Sequence, residues 1–309
     1  MNILIIGLGS IGWKHVAAIR ELVPNALIYA LRSSKEAVIE LNIQNIYSIL
    51  DIDFKLDFII ISNPTVFHED TITRCLEIGC PLFIEKPVLA NLKNSDSLAL
   101  EIERKNIITY VACNMRFHPS IQFLKNELLT KINKINEVNI YCGSYLPEWR
   151  PGRDFRTIYS TKKNMGGGVH LDLIHEMDYC LWLFGKPEGF KTIKRSVSSL
   201  SIDSIDSAQF HLFYPFFTAN ISVNYYRRDA KREIEIVTDE NTYFIDLITN
   251  KIIDKLSRNI IFEQEFNMKE TYINQLNYFL NHISHQKQTM NDFNCGIESL
   301  KIALHGEAF

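Results

Sequence analysis

Lys86 stands in the tripeptide Glu85-Lys86-Pro87, at the end of the apolar run Pro81-Leu82-Phe83-Ile84 and well downstream of a glycine-rich turn that begins at Gly7. A lysine at the carboxyl end of a strand lies where open α/β sheets place their ligands. Its ammonium can hydrogen-bond an oxygen that becomes an alkoxide on oxidation, or donate to a carbonyl during reduction. Pro87 restricts the residue before it to an extended backbone, which predicts a fixed direction for the lysine. The densest group of acid–base side chains lies further on, in Gly166-Gly167-Gly168-Val169-His170-Leu171-Asp172-Leu173-Ile174-His175-Glu176-Met177-Asp178. On a helix starting near Val169, Asp172, His175 and Glu176 fall at i, i+3 and i+4 and share one face. Histidine titrates near neutral pH and a neighbouring carboxylate can orient it, so this face is a candidate for proton transfer. An exposed helix with a capping interaction is the bland alternative.

Gly7-Leu8-Gly9-Ser10-Ile11-Gly12 follows a strand-like run and opens a helical one. In that context the first glycine permits a tight turn, the second lets backbone approach a pyrophosphate, and the third permits close helix–strand packing. Helix amides then face the phosphates. At the end of the second strand, where an NAD-binding fold usually presents an acid to the ribose, the chain has Leu31-Arg32-Ser33-Ser34-Lys35. Arginine with two hydroxyls attracts a 2′-phosphate that an acid would repel, so Arg32, Ser33 and Ser34 predict a preference for NADP, with NAD still possible. Ser62, Asn63 and Pro64 end the next apolar strand, and His68 lies just inside the following helix, which makes them candidate cofactor contacts. The stretch from Tyr145 to Arg156, with Trp149, Arg153 and Asp154, has no clear period. Its aromatic faces, arginines and carboxylates suit sugar rings and phosphates, and they suit an oligomer contact or lid as well.

These groups need a scaffold. Apolar runs at Asn2–Ile6, Leu27–Leu31, Phe58–Ser62, Leu82–Glu85 and Ile107–Cys113 alternate with helical patterns at Ile11–Val23, Phe67–Ile78 and Ser95–Lys105, the signature of a parallel sheet covered by helices. After residue 118 the pattern becomes one helix (Ser120–Leu129) and then strands at Asn136–Gly143, Phe190–Ser198, Ala208–Tyr214, Thr218–Tyr226, Ile234–Thr238 and Tyr243–Asp246. A helix over Val169–Phe184 interrupts them, and Lys269–Ser284 and Cys295–His305 close the chain. The fold class is therefore α/β: an N-terminal Rossmann dinucleotide-binding domain over 1–118, and a C-terminal α+β domain over 119–309 with a large, mostly antiparallel open sheet.

A net charge of -3 on 309 residues is not a strongly basic balance that invites nucleic acid, and no run approaches the roughly 18 apolar residues of a membrane span. The opening Met1-Asn2-Ile3-Leu4-Ile5-Ile6-Gly7 reads as a strand and not a signal peptide, which predicts a cytoplasmic protein. Six cysteines without a C-x-x-C pair suggest neither a metal site nor a disulfide framework.

In this order the motifs resemble the glucose–fructose oxidoreductase and inositol dehydrogenase family of NAD(P)-dependent oxidoreductases. The anchors are Gly7-x-Gly9-x-x-Gly12, Asn63-Pro64 with His68, Glu85-Lys86-Pro87, Asn114-x-Arg116-Phe117-His118-Pro119, and Gly166-Gly167-Gly168 with Asp172 and His175. The resemblance implies catalysis by Lys86, Asp172 and His175, and cofactor contacts that add Glu85, Lys86, Asn114 and Arg116 to those above. It implies substrate contacts from Lys86, Arg116, Tyr145, Trp149, Arg153, Asp154, Tyr159, Asp172 and His175. Homodimers or homotetramers through the outer face of the second sheet are implied too. The family usually spaces the Asp and His four apart, whereas His175 follows Asp172 by three and Glu176 takes the fourth place. Asp178 keeps its usual distance from the histidine, which favours His175 and leaves Glu176 as the competing acid/base. The stretch Tyr145–Asp154, with Tyr159-Ser160, is similar to a branch found among bacterial surface-polysaccharide enzymes and implies a sugar or nucleotide-sugar substrate. Two other outcomes stay open: an NAD-assisted glycosidase or epimerase-like enzyme on the same fold, and a non-catalytic NADP-sensing protein.

Overall fold

The structure, a computed structural model, describes residues 1–33 and 42–306. Runs of Ile, Leu and Phe without polar alternation build the first sheet from β1 (Asn2–Ile6), β2 (Leu27–Leu31), β3 (Ile43–Ile46), β4 (Phe58–Ile61), β5 (Leu82–Ile84) and β6 (Thr109–Val111). Their order is β3-β2-β1-β4-β5-β6, and every pair is parallel. Such strands are covered on both faces, and Phe58, Ile59, Ile60 and Ile61 are accordingly inaccessible. Helices α1 (Ser10–Leu22), α2 (His68–Leu76) and α3 (Ser95–Arg104) connect them. The strand order reverses direction between β1 and β4, and the carboxyl ends of those two strands are where such a sheet opens a crevice.

The second sheet begins after α4 (Pro119–Phe123), whose helical run goes on as a π turn over Leu124–Leu128 and a 3-10 turn over Leu129–Lys131. Its strands are β7 (Ile135–Gly143), β8 (Gly189–Arg195), β9 (Ser207–Phe213), β10 (Thr218–Asn224), β11 (Lys231–Thr238), β12 (Thr242–Asp246), β13 (Lys251–Asp254) and β14 (Ile260–Glu263). They run β14-β13-β12-β11-β7-β10-β9-β8, antiparallel except for β7 with β10. Alternate residues such as Val138, Ile140, Ile234 and Ile236 point into the core, as a sheet packed on one face requires. The single helix expected over Val169–Phe184 is two helices, α5 (Val169–Asp172) and α6 (His175–Phe184), separated at Leu173, whose ψ of 33 leaves the helical region.

The chain ends in α7 (Met268–Ser284) and α8 (Phe293–Leu304). Two compact units result: Met1–Asn114 with Met268–Glu298, and Met115–Asn267 with Ser299–Phe309. The division differs from one cut near residue 118 because α7 joins the first unit. There Phe279 meets Phe58 and Phe83 edge-on, each at 5.4 Å. Among the described residues no helix is long and apolar enough to cross a membrane. All six cysteines are unbridged, and burial pushes the Cys75, Cys80 and Cys180 thiols up to about 12, so they behave as core side chains.

Two histidines of the second unit are held neutral. His118 is fully buried with Nε2 donating to the Leu247 oxygen at 3.1 Å, and burial, reinforced by Arg232, lowers it to about 4. Burial and then Lys194 lower His170 to about 3. The unfolded chain therefore binds protons that the fold refuses, and stability present above the ordinary value of 6.5 is lost as pH falls toward about 4. The expected slope is roughly 1.4 kcal/mol per pH unit for each histidine, additional to any carboxylate effect. Urea unfolding at about pH 7 and about pH 5 measures it, and His118→Gln should remove one of the two contributions.

Candidate active site

The turn after β1 is built by close approach. Gly7 has φ +97, and a β-carbon there would lie 2.3 Å from the Asn63 backbone nitrogen; at Gly12 one would lie 2.5 Å from the Gly7 oxygen. At Gly9 a β-carbon would meet nothing within 4 Å, so the middle glycine leaves its backbone bare. Packed outer glycines around an open middle one, at the start of α1, form the cradle that a pyrophosphate fits. Ser62 Oγ donates to the Gly7 oxygen at 2.8 Å and ties the ends of β1 and β4 together. Beside this turn a groove of about 1100 Å³ is lined by Gly7, Leu8, Arg32, Ser33, Asn63 and Pro64. Ser10 is exposed and Ile11 half-buried at the first turn of α1. Ser34 and Lys35 lie outside the described residues.

Lys86 is the second residue past the end of β5 and is half-buried. The Glu85 carboxylate is held by protein groups. Oε1 accepts from His15 Nε2 at 2.7 Å, and Oε2 accepts from the Lys86 backbone N–H at 3.2 Å. His68 is held by protein groups in the same way. It is 1% exposed, with Nδ1 facing the Val88 oxygen at 3.1 Å and Nε2 the Asn63 oxygen at 3.0 Å. It thus staples the Asn63 loop to the segment after Pro87, and burial lowers its pKa. Asn114 is likewise occupied, donating to Thr271 Oγ1 at 2.6 Å. Asn63 donates from Nδ2 to Thr71 Oγ1 at 2.8 Å, while its buried Oδ1 has no partner among the described residues.

In the second unit Gly167 is the residue that permits contact. A β-carbon there would stand 2.3 Å from the Tyr159 oxygen, so only glycine lets this turn lie against the start of α5. Tyr159 Oη donates to Asp172 Oδ1 at 2.8 Å and Tyr225 Oη to Oδ2 at 2.5 Å. The carboxylate is thus held between two phenols, and burial together with its charge pushes both phenols up. Trp149 extends the group, its Nε1 donating to Ser144 Oγ at 2.8 Å and its ring edge-on to Tyr225 at 5.3 Å. Tyr145 lies under Arg228, whose guanidinium is 4.1 Å from the ring centroid. Arg153 is exposed, and Asp154 caps the turn Phe155–Thr157 by accepting from the Arg156 N–H at 3.0 Å.

His175 is the first residue of α6 and half-buried. The two acids that follow it are not available as a polar face. Glu176 is inaccessible and its Oε1 accepts from Arg232 Nε at 2.7 Å. Asp178 is gripped by Arg116 through Nε at 2.9 Å and Nη2 at 2.8 Å. Glu176 and Arg116 are thus each half of a buried ion pair that ends on α6. Sequence reasoning missed His15, Tyr225 and Arg232, whose partners are far away along the chain.

Residues 1–113 match the family described as the GFO_IDH_MocA oxidoreductase family, NAD-binding Rossmann fold. A scyllo-inositol 2-dehydrogenase (NAD(+)) of Bacillus subtilis is 26% identical over 59% of this chain and 53% of its own, so the match spans about half the length of that relative. Among solved structures, UDP-N-acetylglucosamine 3-dehydrogenase from Acidithiobacillus ferrooxidans superposes with a TM-score of 0.79 at 20% identity, covering 98% of this chain and 95% of that one. A levoglucosan dehydrogenase in complex with NADH gives 0.84 at 17% identity, with the same coverage. The family match thus covers residues 1–113, and the solved structures show the likeness of fold over both units.

Proposed function

We propose that the protein is an NADP-dependent oxidoreductase that passes a hydride between nicotinamide and a hydroxyl or keto carbon of a sugar or nucleotide sugar. The observation that carries this reading is the placement of three features on successive strand ends of one parallel sheet. The bare glycine turn follows β1, Asn63 follows β4, and Lys86 follows β5. When bound, the nicotinamide supplies or accepts the hydride. Lys86 stabilises charge on the substrate oxygen, His175 exchanges the hydroxyl proton, and Asp172, fixed by Tyr159 and Tyr225, orients the reacting group. Tyr145, Trp149, Arg153 and Asp154 offer aromatic and charged contacts to a sugar and its phosphates. The relatives named above support a polyol or sugar substrate. A role in surface-polysaccharide metabolism, in the cytoplasm, as a homodimer or homotetramer through the outer face of the eight-stranded sheet, completes the reading.

Two variants separate the competing acids. His175→Asn is expected to lower kcat by about 10²–10⁴-fold at nearly unchanged stability. Glu176→Gln removes one partner of a buried pair and should cost about 3–5 kcal/mol of stability, with a much smaller effect on kcat of the folded protein. Steady-state rates and urea unfolding of both proteins read this out; a silent histidine change defeats the assignment.

A further inference from the structure

The geometry points to His15 as a positioning residue for Lys86, acting through Glu85 and joining the glycine-turn helix to the lysine. The backbone ladder beside β5 reaches Glu85, whose N–H donates to the Ile61 oxygen at 2.8 Å. Lys86 is the first residue beyond it, and its N–H goes to the Glu85 carboxylate, Oε2, at 3.2 Å. The other oxygen, Oε1, is taken by His15 Nε2 at 2.7 Å, so one carboxylate is shared between α1 and the Lys86 backbone. The Glu85 side chain is 11% exposed and that of His15 0%. A carboxylate so enclosed needs partners, and removing one leaves it free to turn and release the other. The imidazole is itself boxed, edge-on to Phe83 at 5.1 Å and Tyr272 at 6.1 Å, which fixes where Nε2 points. His15 lies one turn beyond Gly12 on α1, the helix that follows the glycine turn, whose Gly7 and Leu8 line the groove. The side chain that sets the Lys86 backbone is therefore anchored on the element that would hold the phosphates.

The kinetic arm of the test rests on the role proposed for Lys86; a second arm does not. His15→Leu and His15→Gln are compared with the native protein for kcat, for NADP affinity, and for the rate at which trinitrobenzenesulfonate modifies Lys86, read by peptide mass spectrometry against exposed lysines. The glutamine amide reaches where Nε2 donates, and leucine does not. Expected for His15→Leu are a roughly 10–100-fold fall in kcat, NADP affinity within about threefold, and a Lys86 modification rate changed at least about threefold. His15→Gln should restore all three. The inference is overturned if folded His15→Leu modifies Lys86 at the native rate, whatever its kcat, or if His15→Gln behaves as leucine does. Should leucine prevent folding, His15→Asn, too short to reach Glu85, is judged by the same two outcomes. A protein that turns over no sugar would sink the proposed function and leave the modification rates to decide this point alone.

Discussion

Lys86→Met is expected to reduce kcat by roughly a thousandfold while leaving the NADP dissociation constant within about twofold, because the role proposed for Lys86 is that of a transition-state donor. Methionine keeps the length and apolar stem of the lysine. It also keeps the Lys86 N–H to Glu85 Oε2, since that bond is made by the backbone. The glycine turn and Ser62 contacts lie on other strand ends and are untouched. What disappears is the ammonium proposed to meet developing negative charge on the substrate oxygen. A fall in affinity alone would instead mark Lys86 as a cofactor anchor, and retained turnover would remove it from the chemistry.

Arg32→Glu should weaken NADPH binding by about 10²–10³-fold and leave NADH within a few-fold of its native affinity, reversing the preference. Arg32 and Ser33 line the groove beside the glycine turn, past the last residue of β2. A guanidinium there makes charge-assisted bonds to a 2′-phosphate, and a carboxylate in its place repels that phosphate while accepting from a ribose hydroxyl. Fluorescence titrations with both dinucleotides measure the change. Equal native affinities for NADPH and NADH would defeat the preference proposed from these residues.

The Rossmann half was legible because its signals are local. Continuous apolar runs mark β1, β4 and β5, and the glycine turn sits directly against the first of them. β3 was passed over because Ile43-Gln44-Asn45-Ile46 is short and half polar, and only its pairing to β2 makes it a strand. The break between α5 and α6 has no glycine or proline to announce it. It goes with distant partners: Asp172 is tied to Tyr159 and Tyr225, whereas Glu176 and Asp178 are tied to Arg232 and Arg116. A helical wheel accordingly left Glu176 on one face with Asp172 and His175. A wheel shows which residues share a face, and not which arginine, 56 residues on, will bury one of them. Glu85, His68, Asn114 and Arg116 belong to the same class. Each is a motif residue whose side chain holds neighbouring chain in place.

The most direct test of hydride transfer is to follow deuterium from the nicotinamide ring of reduced NADP into product, with a panel of oxidised sugars and nucleotide sugars as acceptors. The account predicts deuterium on a single sugar carbon for at least one acceptor, at a rate that falls roughly a thousandfold in Lys86→Met. Tight NADP binding with no deuterium transferred to any acceptor would contradict it.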